Sequence, residues 1–255
     1  MTAASLAAGA DPARAVTLGA SMTALQVSIG ALNDIHDVPH DAGRKPGKPI
    51  PAGLVSVPAA WSVVVMGALV GIAIGASVDV RVGALAAVVL VIGYGYDLLA
   101  KGTAWSWLPF AVGIPLLPVY GWLGAVGALP SFFIALVPMA VAAGAALAIA
   151  NARADLERDV AAGTVSVATR LGPEGSWRLH AALWLLTLVL GSAWLAFRAV
   201  ALPQIAPVVI IAGLIGMVVV WSRAGGPAAR ERAWQFEAAG GALALLTWLL
   251  AAVRS

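Results

Sequence analysis

Cysteine is absent from all 255 residues. That excludes disulfides, thiolate metal sites and haem attached through thioether links. Charge is scarce as well. Only 11% of the residues are Asp, Glu, Lys or Arg, whereas 61% are hydrophobic. A soluble domain of this length could not cover its surface with so few polar groups. The formal net charge of +3 is too small and too scattered for binding a nucleic acid, and no such partner is expected. Residues 1–11 carry no basic stretch followed by a cleavable apolar core, so no signal peptide is expected. The short alternating apolar segments of a membrane β-barrel are lacking too.

What the chain has instead is long apolar runs. A span of the bilayer core needs roughly 20 apolar residues in a helix. Runs at 12–36, 57–78, 82–99, 105–125, 131–152, 177–197, 203–222 and 234–253 predict an all-α, multi-span membrane protein with about eight transmembrane helices. Charge sets its orientation. Of the 15 Lys and Arg residues, all but Arg14, Arg81, Arg198 and Arg254 fall on one side of the spans. The positive-inside rule places that side in the cytoplasm of a prokaryotic plasma membrane and both chain ends outside. The acidic residues share the bias, because only Asp11 and Asp79 lie on the other side.

Two short segments concentrate the aspartates. The first is Asn33-Asp34-Ile35-His36-Asp37-Val38-Pro39-His40-Asp41, and the second is Asn151-Ala152-Arg153-Ala154-Asp155-Leu156-Glu157-Arg158-Asp159. Each has Asn, then Asp four residues on, then Asp four further. On a helix, residues i and i+4 share a face about 6 Å apart. Asn33 and Asp37 therefore point together, and so do Asn151, Asp155 and Asp159. Pro39 is expected to end or bend the first helix and to free Asp41 from that register. The matched motifs predict one domain over 1–255, built as pseudo-repeats of roughly 12–125 and 131–253 whose two copies face each other.

Ionisable groups at membrane helix ends are costly unless they face water or an ion. Carboxylate and amide oxygens suit Mg²⁺, which takes one or two carboxylates together with substrate phosphate oxygens. Two opposed clusters could thus hold a diphosphate through metal ions. Arg44, Lys45, Lys48 and Lys101 could neutralise its oxygens, and the apolar bundle could take a hydrocarbon tail. The segment 37–56, rich in Gly, Pro and basic residues, is expected to be mobile without ligand and to order over the diphosphate. The other polar residues have plainer readings. His36 and His40 read as interfacial, Tyr94 and Tyr96 as interface anchors, and Glu157, Arg158, Glu231 and Glu237 as solvated or locally paired. The Trp residues read as interface belts and core filling.

At these motifs the sequence resembles the UbiA superfamily of intramembrane prenyltransferases. Asn33-Asp34-x-x-Asp37-x-x-x-Asp41 is followed by Lys48-Pro49-Ile50-Pro51-Ala52-Gly53, with Lys48 where that family usually has Arg. Asp155-Leu156-Glu157-Arg158-Asp159, then Gly163-Thr164 and Thr169-Arg170-Leu171-Gly172, resembles its second motif, and Tyr96-Asp97-Leu98-Leu99-Ala100-Lys101 a third. The resemblance implies two pseudo-repeated half-bundles around a central cavity, with Mg²⁺ as cofactor. It implies metal or diphosphate roles for Asn33, Asp37, Asp41, Asn151, Asp155 and Asp159, diphosphate binding by Lys48, Lys101 and Arg44, and a place for Tyr96 at the reaction centre. It implies a prenyl diphosphate donor and a hydrophobic acceptor in the membrane, an aromatic quinone precursor or a lipid. The Lys48–Gly53 segment is more similar to branches with geranylgeranyl-sized donors. The family's usual first helix is expected to be missing, since it commonly has nine spans and a cytoplasmic N-terminus. A membrane terpene cyclase, and a transporter or metal-binding protein, remain open alternatives.

Overall fold

The structure is a computed structural model that describes residues 1–41 and 47–253. The described residues form helices and connecting turns. In chain order these are α1 (Thr2–Ala7), α2 (Pro12–Asp41), α3 (Val57–Val78), α4 (Val80–Gly95) with a π-helical turn (Tyr96–Ala100), α5 (Leu108–Val126), α6 (Phe133–Ala154), α7 (Leu156–Ala162), α8 (Val167–Phe197), α9 (Leu202–Trp221) and α10 (Pro227–Val253). Among the described residues, 8 helices are long and apolar enough to cross a membrane. They expose large apolar side chains freely; on α9, Ile210, Met217 and Val220 are each more than half exposed. Such a surface suits lipid. The protein is an all-α integral membrane protein.

Three expectations about helix limits need correction. Pro39 does not end α2, whose backbone stays helical through Asp41. Pro39 has no N–H to give the carbonyl four residues back, so the helix runs on to Asp41 without that one bond. Helix α8 begins at Val167, ahead of the apolar run, because Ser166 and Thr169 form a reciprocal cap. A kink at Gly172, with φ 69° and ψ 175°, joins this capped turn to the apolar span. Helix α10 likewise extends forward to Pro227 through the charged stretch 230–232.

The chain forms two compact units, Met1–Leu99 with Leu116–Ala128, and Ala100–Pro115 with Leu129–Ser255. In the first, α2 and α3 approach closely along Gly67, Gly71 and Gly75, spaced four apart as close helix pairs in membranes require. A Cβ at Gly67 would lie 2.9 Å from the carbonyl oxygen of Ala24. Two polar contacts lock this seam seven residues apart. Ser21 Oγ donates to the carbonyl of Gly71 (2.6 Å) and meets the Tyr120 hydroxyl (2.5 Å). Ser28 Oγ donates to the carbonyl of Val64 (2.6 Å) and meets the Tyr94 hydroxyl (2.6 Å). A serine has one hydroxyl proton, here given to the carbonyl, so each tyrosine must be the donor to its serine. Tyr94 is partly buried and packs against this core. Leu18, Met22, Leu25, Val82, Ala86, Val89 and Leu90 fill the rest of this core.

In the second unit, α6 is lined with buried alanines from Ala140 to Ala154 and packs against α8 and α10. A Cβ at Gly144 would sit 2.5 Å from the carbonyl oxygen of Phe110. Trp184 packs against Ile211 and Ile215, and Trp248 Nε1 donates to the carbonyl of Gly191 at 3.1 Å. Glu237, expected to be solvated or locally paired, is instead fully buried. Its Oε2 accepts from Trp184 Nε1 (2.9 Å) and lies 2.6 Å from His180 Nε2. The pair ties α8 to α10, because a carboxylate in an apolar bundle must find donors within the protein.

Two stability measurements follow, both by thermal unfolding in detergent. Gly67→Ala and Gly144→Ala each force a methyl against backbone and should cost about 1–3 kcal/mol. Gly213→Ala, with nothing within 4 Å, should be neutral or slightly stabilising. His180→Leu leaves Glu237 with a lost partner and should cost about 3–5 kcal/mol, whereas His180→Leu with Glu237→Leu should cost much less. Equal losses in the single and double variants would show that the pair is not coupled.

Candidate metal and diphosphate site

In the first unit, the last turns of α2 carry Asn33, Asp34 and Asp37. Helical register sets Asn33 and Asp37 on one face. Asp37 is buried, and Asn33 and Asp34 are half-buried. Lys48 Nζ lies 2.9 Å from Asp34 Oδ1 and 3.4 Å from Asp37 Oδ2, so one ammonium bridges both carboxylates. The turn that delivers it is held by Ala52 N–H to the Lys48 carbonyl (3.0 Å) and Leu54 N–H to the Pro49 carbonyl (2.9 Å). His36 is exposed beside Asp37 at 3.9 Å, as an interfacial residue should be. Asn33 Nδ2 donates to Asp97 Oδ1 at 2.7 Å. Asp97 sits in the π-helical turn between half-buried Tyr96 and exposed Leu98. Asp41 has its backbone in α2, while its side chain and all of Arg44 lie outside the described residues.

In the second unit, Asn151, Asp155 and Asp159 do not share one unbroken helix. Helix α6 stops at Ala154, Asp155 forms the junction, and α7 begins at Leu156. The register nonetheless survives, because Asp155 N–H reaches the Asn151 carbonyl (3.3 Å) and Asp159 N–H the Asp155 carbonyl (2.9 Å). Asp155 makes no side-chain cap to α7 and pairs with Arg158. Partial burial pushes the Asp159 carboxyl above its ordinary pKa; a hydrogen bond from Ser166 opposes this and the negative charge of Asp155 adds to it. Two carboxylates that feel each other's charge are relieved by a cation between them. Glu157 pairs with Arg230, which holds its pKa below the usual value and anchors α7 to α10. Arg153, counted above among the cytoplasmic charges, is buried and donates to the Ser222 hydroxyl at 3.2 Å. Lys101 is half-buried just after the π-helical turn.

The donors in both clusters are hard oxygens. Among the described residues, no three His, Cys, Asp or Glu side chains converge into a metal cage. Hard oxygen donors suit Mg²⁺, which keeps waters and completes its shell with phosphate oxygens. The sequence motifs contained Asp97 without assigning it a role, and His180, Arg230 and Glu237 were missed as partners. The available signal was their type, since an ionisable residue inside an apolar span needs a reason to be there.

The description "UbiA prenyltransferase family" belongs to a family model that matches residues 1–241. The chain belongs to that family of membrane prenyltransferases. A search of curated proteins gives no match. Solved structures share the fold. The apo UbiA homologue of Aeropyrum pernix K1 is 19% identical with a TM-score of 0.75, covering 95% of this chain and 92% of its own. The UbiA homologue of Archaeoglobus fulgidus bound to DMAPP and Mg²⁺ is 20% identical with a TM-score of 0.70, covering 95% and 93%. A digeranylgeranylglyceryl phosphate synthase is 15% identical with a TM-score of 0.71, covering 99% and 94%.

Because Lys48 bridges Asp34 and Asp37, it competes with any cation for them. Lys48→Ala should therefore bind Mg²⁺ alone, without a phosphate ligand, more tightly than the wild type does. The check is the Mg²⁺ concentration at which the unfolding temperature begins to rise; a higher threshold in the variant would refute the competition.

Proposed function

We propose that the protein transfers a prenyl chain from a prenyl diphosphate to a hydrophobic acceptor in the membrane. Asn33, Asp37 and Asp41, with Asn151, Asp155 and Asp159, hold Mg²⁺ for the diphosphate. The site faces the cytoplasm of a prokaryotic plasma membrane, and the two motifs belong to pseudo-repeated halves of one domain. What supports this reading is the pair of oxygen-rich Asn/Asp clusters, each where an apolar helix ends and each beside basic side chains, in a chain of this family.

The reaction breaks the bond between the allylic carbon and the diphosphate oxygen. The carbon then bonds to the acceptor, which gives up a proton, and diphosphate leaves with the bonding electrons. Bound Mg²⁺ supplies positive charge to the departing diphosphate. Lys48 exchanges Asp34 and Asp37 for a phosphate oxygen. Lys101 and Arg44 add positive charge to the same group, where preformed charge is worth most to a transition state. Tyr96 lies where the allylic cation forms. The apolar helices exclude water, which would otherwise capture that cation. The acceptor is an aromatic quinone precursor or a lipid.

Diphosphate release from geranylgeranyl diphosphate tests the reading. Asp37→Asn and Asp155→Asn keep size but lose the charge that binds a hard cation, and each should slow release on the order of 10³-fold. Asp79→Asn should do little, because Asp79 caps the start of α4 and binds Arg81, at the opposite end of that helix from Asp97. Release only with an acceptor present supports the transferase. Release with a hydrocarbon product and no acceptor means a cyclase. No release with any donor length would end the enzyme reading.

A further inference from the structure

The bond between Asn33 and Asp97 carries a consequence for metal binding. Asp97 is 1% exposed inside the span 80–100, where a carboxylate is costly. The backbone makes a special arrangement to put it there. Helix α4 changes at Tyr96 to a π-helical turn, a form found mostly as single-turn insertions and frequently at functional sites. Asp97 is turned inward, while Leu98 and Leu99 stay 54% and 79% exposed. Its Oδ1 then accepts from Asn33 Nδ2 at 2.7 Å, a short bond to an acidic acceptor.

Resting on the prenyl diphosphate reading above, we propose that Asp97 is a positioning residue that fixes which end of the Asn33 amide is presented to Mg²⁺. A side-chain amide has a donor end and an acceptor end of nearly the same shape. Only its oxygen can bind a cation; the NH₂ group would repel one. The end that meets Asp97 is the NH₂ group, whose nitrogen lies 2.7 Å from Asp97 Oδ1. Asp97 therefore takes the NH₂ end of Asn33 and turns Oδ1 the other way. Asp37 lies one turn along the same face of α2, so the amide oxygen and the carboxylate present together. Asp97 acts through Asn33 and contributes no metal bond of its own.

The test uses the full chain in detergent with Mn²⁺ as a paramagnetic stand-in for Mg²⁺ and an unreactive geranyl thiolodiphosphate. Free Mn²⁺ is read by electron paramagnetic resonance, and metal-free unfolding temperature is read alongside. Asp97→Asn should weaken Mn²⁺ binding about tenfold to a hundredfold, the usual effect of losing a partner that orients a ligand. Asn33→Ala should weaken it at least as much. In the Asn33→Ala background, Asp97→Asn should add nothing further. Asp97→Glu, which still only accepts, should recover much of the affinity and also covers the case in which Asp97→Asn does not fold. The proposal is overturned if Asp97→Asn lowers the unfolding temperature but leaves Mn²⁺ affinity unchanged. It is overturned equally if the effects of the two sites add, or if Asp97→Glu loses as much as Asp97→Asn. A wild type that binds the thiolodiphosphate without needing metal would sink this proposal alone. A wild type that binds neither would sink the prenyl diphosphate reading with it.

Discussion

A polar group placed among apolar helices must find its partner inside the protein, because lipid offers none. The rest of this structure depends on that constraint. It explains why Ser21 and Ser28 donate to carbonyls of α3 and receive tyrosine hydroxyls in return. It explains why the indoles of Trp177 and Trp248 reach carbonyls of Val219 and Gly191. It also explains why Glu237 is paired with a histidine and a tryptophan from another helix.

At the helix ends the same constraint acts on charge. Each acidic motif residue of known contacts has a partner: Lys48 for Asp34 and Asp37, Arg158 for Asp155, Arg230 for Glu157. Some of these partners suit exchange. The Asp155–Arg158 contact is largely exposed, and an exposed ion pair is worth little, about 0–1 kcal/mol. A strongly charged ligand can displace it. The Glu157–Arg230 pair differs, because Arg230 is buried and joins two helices. It suits a scaffold role, keeping α7 fixed while its neighbours exchange partners.

The membrane class and the helix count were legible in the chain because apolar length is a coarse property that survives without tertiary information. The candidate site was legible as two motifs because a four-residue spacing reads directly as one helix face. The limits of the helices were not legible where polar caps overrode hydropathy. Ser166 and Thr169 start α8 well ahead of its apolar run, and α2 runs past Pro39 to Asp41. Partners distant in sequence were hidden for a different reason. His180 and Glu237 are 57 residues apart, and nothing local to either names the other. The bond between Tyr94 and Ser28 was hidden in the same way, across 66 residues.

The serine–glycine seam has a further consequence for how this chain can change over evolutionary time. Ser28 fixes the rotation of α2 against α3, and Asn33 follows little more than one turn later on the same rigid rod. Inserting or deleting a single residue between them would rotate everything downstream by about 100°. Asn33 would swing away from Asp97, and Asp37 away from Lys48, with no loop in between to absorb the change. Length variation among descendants of this gene should thus be barred from that stretch.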